Sequence, residues 1–111
     1  MAVPVRAMLV ESLGFASIGA GYTNVGSPIE NSLRIIWVQN LTDATLMFSF
    51  DAVNDHFPLV ANAFVLLDLN TNQNQNQTGL FLGKKTQLWV RQLAVPTSGS
   101  VYFSGFYAKG E

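Results

Sequence analysis

The sequence predicts an all-β chain that folds as an antiparallel β-sandwich. Along most of its length β-branched and aromatic residues alternate with polar ones, which is the pattern of strands with one buried face. Clusters of Gly, Asn, Asp or Pro interrupt the alternation about every 8 to 15 residues, as turns between short strands do. No segment has the spacing of a long amphipathic helix, and no repeat of the length found in propellers or solenoids is visible. Jelly-roll and immunoglobulin-like topologies both fit this pattern.

Residues 1–30 differ from the rest of the chain. Residues 14–26 are rich in Gly, Ala and Ser, with glycines too closely spaced for a packed central strand. We therefore predict that residues 1–30 form an extended Gly/Ala-rich N-terminal arm or an edge strand, and that residues 31–111 form the β-sandwich domain. Residues 14–29 carry no ionisable side chain except Tyr22, which favours an arm covered by a neighbouring subunit.

The clearest pair of strands in the sequence lies at residues 33–39 and 44–50. The connection at residues 40–43, Asn-Leu-Thr-Asp, suits a tight turn, so the pair is predicted to form a hairpin. One face of the second run carries three apolar side chains, those of Leu46, Phe48 and Phe50. We expect this face to be buried.

The second half of the chain contains further strand-like runs. Residues 59–69 are almost continuously apolar, which suits a strand buried on both faces or covered by a neighbouring subunit. Residues 70–79 form a low-complexity Asn/Gln tract with nothing to bury, so an exposed loop is expected there. Strand patterns follow at residues 80–82, 86–94 and 100–108.

Composition excludes several classes of protein. Charged residues make up 12% of the 111 residues, against about a quarter in an ordinary soluble domain, and the net charge is −1. Such a chain has no basic field for nucleic acid. The absence of cysteine excludes disulfides and thiolate metal sites. We find neither a secretory signal pattern nor an apolar run of the about 20 residues that a membrane-spanning helix needs, so no membrane partner is expected.

Candidate catalytic or metal-binding residues gather at one place only. Asp51, Asp55 and His56 bring two carboxylates together with the single histidine, but they lack the ligand pattern of a calcium loop. A solvated turn whose side chains bond the local backbone is the favoured interpretation. Because neither a nucleophile elbow nor a phosphate-binding glycine motif is present, the sequence predicts no enzyme and no cofactor.

The aromatic residues offer the other candidates for binding. Trp89 shares a strand face with Gln87 and Arg91, a combination that could bind a glycan. Trp37 follows Leu33 and Ile35 at the two-residue spacing of one strand face, which favours a position in the core or in a subunit interface. Other aromatic side chains that could stack on a ligand are those of Tyr22, Tyr102 and Tyr107.

Four stretches of the sequence carry a resemblance to a known family. They are RIIWVQNLTDATLMFSFD at residues 34–51, DLNTN at 68–72, WVRQ at 89–92 and PTSGSVY at 96–102. Together they resemble the small β-sandwich structural proteins of the virions of tailed, podovirus-like bacteriophages, over about residues 15–108. The resemblance implies a non-enzymatic, symmetric role in the particle and supplies no catalytic residues.

We therefore expect a structural virion protein that forms a symmetric homo-oligomer. Its expected place is the neck, tail or fibre attachment region, or the capsid surface as a decoration (cement) protein, with other virion proteins as partners. Low charge agrees with a surface that neighbours cover. The alternative is a carbohydrate-binding β-sandwich module that recognises a host surface glycan. The candidate partner or glycan contacts are Trp89, Arg91, Tyr102 and Tyr22.

Overall fold

The computed structural model describes residues 5–68, 83 and 85–108. Its strands are β1 (Val5–Ala7), β2 (Glu11–Gly14), β3 (Thr23–Val25), β4 (Ile35–Asn40), β5 (Leu46–Ser49), β6 (Phe57–Leu59), β7 (Phe64–Asp68), β8 (Leu88–Gln92) and β9 (Ser100–Ala108). They form two antiparallel sheets. Sheet A has the order β1–β9–β4–β7, with β2 also paired to β9, and sheet B has the order β3–β8–β5–β6. The predicted all-β class with antiparallel sheets is confirmed, and the arrangement is consistent with a β-sandwich.

One hydrophobic core joins the two sheets. Val38 and Phe103 face it from sheet A, and Leu46 and Phe48 face it from sheet B, each at most 1% exposed. Burial of Leu46 and Phe48 confirms two members of the face predicted for the run at 44–50, whereas Phe50 lies beyond the end of β5 and is half-buried. The ring of Phe48 stacks on Phe57, with ring centroids 5.3 Å apart and planes inclined by 9°. This contact fastens β6 to β5 from within the core.

The predicted hairpin between residues 33–39 and 44–50 is wrong. β4 lies in sheet A, where it pairs with β7 and β9, whereas β5 lies in sheet B, where it pairs with β6 and β8. Residues 40–43 therefore form a corner that passes from one sheet to the other. A short polar connection suits a corner as well as a hairpin, so the local sequence does not distinguish the two.

A buried hydrogen-bond network builds this corner. The Nδ2 atom of Asn40 donates to the carbonyl oxygens of Ala44 and Leu59, both at 2.9 Å. Its Oδ1 atom accepts from the backbone N–H of Thr42 at 3.0 Å and from the hydroxyl of Thr42 at 2.6 Å. The backbone N–H of Asn40 donates to the carbonyl oxygen of Ala63 at 2.9 Å. Because both polar side chains are buried, these bonds satisfy groups that water does not reach.

The turn at residues 96–99 closes the same corner from the other side. The carboxylate of Asp43 accepts hydrogen bonds from the hydroxyl of Thr97 and, at 2.8 Å, from its backbone N–H. Gly99 has a φ of 89°. A β-carbon at Gly99 would lie 2.0 Å from the carbonyl oxygen of Leu41. Glycine is therefore required here both by the backbone conformation and by the close approach of the two turns.

The prediction of one strand over residues 59–69, buried on both faces, is also wrong. β6 ends in sheet B, a turn follows at residues 60–63, and β7 begins in sheet A. The apolar run thus crosses between the sheets. Within the described residues β7 is an edge strand of sheet A, and its exposed apolar side chains are those of Phe64, Leu66 and Leu67. Cover by a neighbouring subunit stays a prediction.

Trp37 lies on the outer face of sheet A, so its predicted core position is wrong. Ile36 and Val38 face the core, whereas Trp37 is 43% exposed. Leu33 is buried, but a bend at Arg34 follows it before β4 begins. This bend shifts the alternation by one residue, and a one-residue shift exchanges the two faces of a strand. A position of Trp37 in a subunit interface stays a prediction.

Residues 5–30, the described part of the predicted arm or edge strand, supply three strands. β1 and β2 both pair with β9 at one edge of sheet A, and β3 pairs with β8 at one edge of sheet B. Val25 and Ile29 are buried in the core. Contact of residues 1–30 with another subunit stays a prediction. The loop expected at residues 70–79 lies outside the described residues.

Candidate functional site

The outer face of sheet A is apolar and exposed. Trp37 in β4 pairs with Leu66 in β7. Gln39 lies two residues further along β4, where it pairs with Phe64 of β7 on one side and with Tyr102 of β9 on the other. Phe64 is 60% exposed and Leu66 is 58% exposed. We call this surface the apolar face, and its exposed members are Trp37, Phe64, Leu66, Tyr102 and Phe106.

A shallow groove of about 340 Å³ lies in the apolar face. Its lining residues are Val10, Trp37, Gln39, Leu41, Tyr102 and Ser104. Val10 and Leu41 extend the exposed apolar surface beyond the three strands that form the face. Gln39 and Ser104 supply hydrogen-bonding groups, but none of these lining side chains carries a charge at neutral pH. The groove therefore suits an apolar or aromatic side chain rather than an ion.

The outer face of sheet B has a different chemistry. Arg91 donates from Nη2 to Oδ2 of Asp55 at 2.8 Å and from Nε to Oδ1 at 3.3 Å. The hydroxyl of Tyr22 donates to the same carboxylate, and the guanidinium of Arg91 lies 5.7 Å from the centre of the Tyr22 ring. We call these three side chains the polar cluster. The charges of Arg91 and Asp55 compensate each other at the surface, where such an ion pair contributes little to stability.

The polar cluster changes the acidity of its members. Hydrogen bonds from Arg91 and, with a smaller effect, from Tyr22 hold the pKa of the Asp55 carboxyl below its usual range. Partial burial and the hydrogen bond to Asp55 raise the pKa of the Tyr22 phenol. Asp55 is thus ionised and Tyr22 neutral at physiological pH, and the cluster presents a phenol ring and a guanidinium beside Trp89.

The structure brings together three of the four predicted contact residues. Trp89 is half-buried and pairs with Asn24 of β3, and it shares the outer face of sheet B with Tyr22 and Arg91. Tyr102 lies in β9 on the outer face of sheet A. Because the core separates the two outer faces, Tyr102 belongs to the apolar face and cannot join the other three in one small site.

Asp51, Asp55 and His56 do not converge on a common point. The carboxylate of Asp51 accepts from the backbone N–H groups of residues 53–54, at 2.9 and 2.8 Å. The Nδ1 atom of His56 accepts from the backbone N–H of Phe50 at 3.0 Å. These bonds match the interpretation of this segment as a turn whose side chains bond the local backbone. In the described part of the chain, no group of three or more His, Asp or Glu side chains could hold a metal ion.

The turn at Asp51 predicts a pH dependence of stability. Hydrogen bonds from the backbone of Asn54 and Val53 hold the pKa of Asp51 well below its usual value of 3.8. A carboxyl group with a lowered pKa stabilises the fold above its unfolded pKa and loses this contribution as the pH falls through the folded pKa. We therefore expect the Asp51→Asn variant to show a flatter decline of the free energy of unfolding below about pH 4.

Urea unfolding at a series of pH values measures this decline. Glu30→Gln is the matched control, because it removes one exposed carboxylate outside the turn. If Asp51→Asn and the unmodified chain lose stability equally steeply on acidification, the role assigned to the Asp51 hydrogen bonds is wrong.

Sequence reasoning missed two parts of these surfaces. The sequence indicates Asp55 only as a possible catalytic or metal-binding group, because its partner Arg91 lies 36 residues away and no local spacing links them. Phe64 and Leu66 lie in a run whose apolar character indicates burial. Their exposure follows from the position of β7 at the edge of sheet A, which depends on the pairing of distant strands.

In the described part of the chain, no helix is both long enough and apolar enough to cross a bilayer. Comparison with protein-family models, with curated proteins and with solved structures found no match to this chain. The features that bear on function are the two outer faces, one apolar and one polar.

Proposed function

We propose that the chain is a non-enzymatic structural protein of a tailed-phage virion and that it works as a symmetric homo-oligomer. The observation that carries this proposal is the apolar face, where five large apolar side chains on three neighbouring strands are exposed. A continuous exposed apolar surface is typical of a protein contact site. The low charge content of 12% agrees with this interpretation. The other neighbours in the particle are proteins of the capsid, neck or tail.

We also assign the sandwich to the jelly-roll class. β1 and β2 both pair with β9, so the two can be counted as one bent edge strand. If this edge strand is numbered 1, β3 to β9 become strands 2 to 8. The order is then 1-8-3-6 in sheet A and 2-7-4-5 in sheet B. Successive strands lie in different sheets except for β5 and β6, which pair within sheet B, and this order supports a jelly roll over an immunoglobulin-like sandwich. Jelly rolls occur in viral capsid and lectin domains alike, so the function must be argued from the surfaces.

The proposal predicts that the chain is a component of purified particles of the virus that encodes it. Quantitative mass spectrometry of particles that have been banded and washed in high salt measures this. A copy number near that of the major capsid protein supports the decoration role, and a much smaller number supports the neck, tail or fibre region. A chain that is abundant in infected cells but absent from washed particles would contradict the proposal.

The outer face of sheet B favours one second candidate, a carbohydrate-binding module. The indole of Trp89 beside the polar cluster offers a ring for packing and charged groups for sugar hydroxyls. On this hypothesis Trp89→Ala abolishes binding on a glycan array, whereas Trp37→Ala, on the opposite face, leaves binding unchanged. An unmodified chain that binds no glycan would exclude this candidate.

A further inference from the structure

The apolar face and the two apolar residues beside it form a large exposed surface. Taken with Val10 and Leu41, which line the groove beside it, its exposed side chains present roughly 700 Å². The largest apolar patch of a typical monomer is about 300 to 600 Å². One partner in a standard protein–protein interface contributes about 800 Å². The apolar face, together with Val10 and Leu41, therefore approaches the area of one side of a standard interface.

The charge pattern of the apolar face permits contact with an identical surface. β4 and β7 contain one charged residue between them, Asp68, at the end of β7. In a two-fold contact each surface meets a copy of itself, so a charged centre would bring like charges together. Trp37 in β4, the middle strand of the face, occupies its centre instead.

The apolar face has its most exposed side chains on one strand and a groove on the neighbouring strands. Phe64 and Leu66, both on β7, are its most exposed members, and we call this row of two side chains the β7 ridge. The groove lies beside this ridge, between Trp37 and Tyr102. A two-fold axis that runs parallel to the strands, in the plane between the two facing sheets, brings the ridge of one copy opposite the groove of the other. Stacked sheets of this kind pack about 10 Å apart, with side chains interdigitated.

We propose that the occupant of the apolar face is a second copy of this chain, packed face to face with the β7 ridge of each copy in the groove of the other. This inference rests on the proposed function and deepens it, because it names the surface through which the homo-oligomer forms. Trp37 becomes buried in the contact, and Gln39 and Ser104 supply hydrogen bonds within the groove. The polar cluster, on the other sheet, remains outside the contact.

Leu66→Lys tests the contact, with Val53→Lys as the matched control. Both side chains are well exposed, Leu66 at 58% and Val53 at 79%, so neither substitution disturbs the core. We expect Leu66→Lys to raise the dissociation constant of the dimer at least about 100-fold and Val53→Lys to change it less than about 3-fold. Sedimentation velocity measures the constants, and circular dichroism confirms that both variants fold.

Tryptophan fluorescence distinguishes face-to-face packing from pairing along the β7 edge. In Trp89→Phe the only indole is that of Trp37, and its emission should shift to the blue as the protein concentration passes through the dissociation constant. In Trp37→Phe the emission of Trp89 should not change. A dimer whose Trp37 emission is constant, including one formed by the β7 edge, overturns the inference but leaves the proposed function standing. A chain that is monomeric at every concentration overturns both.

Discussion

Replacing Asn40 with alanine is expected to lower the free energy of unfolding by about 2 to 4 kcal/mol. The variant leaves the carbonyl oxygens of Ala44 and Leu59 without the donor that now reaches them at 2.9 Å. It also removes the acceptor of the Thr42 backbone N–H. Because the corner is buried, these groups lose a partner that water does not readily replace. Urea unfolding followed by circular dichroism measures the loss.

Asn24→Ala is the matched control for this experiment. Asn24 is exposed, and its side chain donates one hydrogen bond, to the carbonyl oxygen of Gly26 at 2.9 Å. Its removal should cost less than about 1 kcal/mol. Equal losses in Asn40→Ala and Asn24→Ala would show that the corner network does not hold the two sheets together.

Replacing Phe48 with alanine is expected to lower the free energy of unfolding by about 3 to 5 kcal/mol. Phe48 is fully buried between the sheets and stacks on Phe57. The variant therefore loses both the transfer of the ring from water and the packing around it. If Phe48→Ala is too unstable to measure, Phe48→Leu should show a smaller loss in the same direction.

Phe64→Ala provides the contrast, because the same side chain is removed from the apolar face. At 60% exposure, Phe64 should contribute within about 1 kcal/mol to the stability of the monomer. Its loss should instead weaken self-association. A large loss of monomer stability in Phe64→Ala, with unchanged association, would mean that the apolar face is part of the fold rather than a contact surface.

Local alternation predicts the strands within residues 33–39, 44–50, 86–94 and 100–108, because the two-residue period of a strand is a property of neighbouring residues. Leu46 and Phe48 lie in the core as their pattern indicates. Trp37 shows the limit of this reasoning, since one bend at Arg34 reverses the face on which the indole lies. The residues of β4 do alternate between the two faces of sheet A. Which face Trp37 occupies depends on the bend at Arg34, and the residue types do not specify that bend.

The assignment of strands to sheets could not be predicted from local patterns. The segment at 40–43 looks like a hairpin turn, but it is a corner because β4 and β5 pair with distant strands of different sheets. The binding surfaces depend on the same long-range pairing. Asp55 meets Arg91 across 36 residues, and Leu66 is exposed because β7 lies at an edge of sheet A.

The mass of the unmodified chain in solution tests the account most directly. Sedimentation equilibrium over a wide concentration range should give a mass that rises above the 12.1 kDa of the single chain to a whole-number multiple of it, with the dimer as the smallest assembly. This result would agree with an apolar face covered by a second copy. A mass that stays at that of the single chain over the whole range would contradict the account.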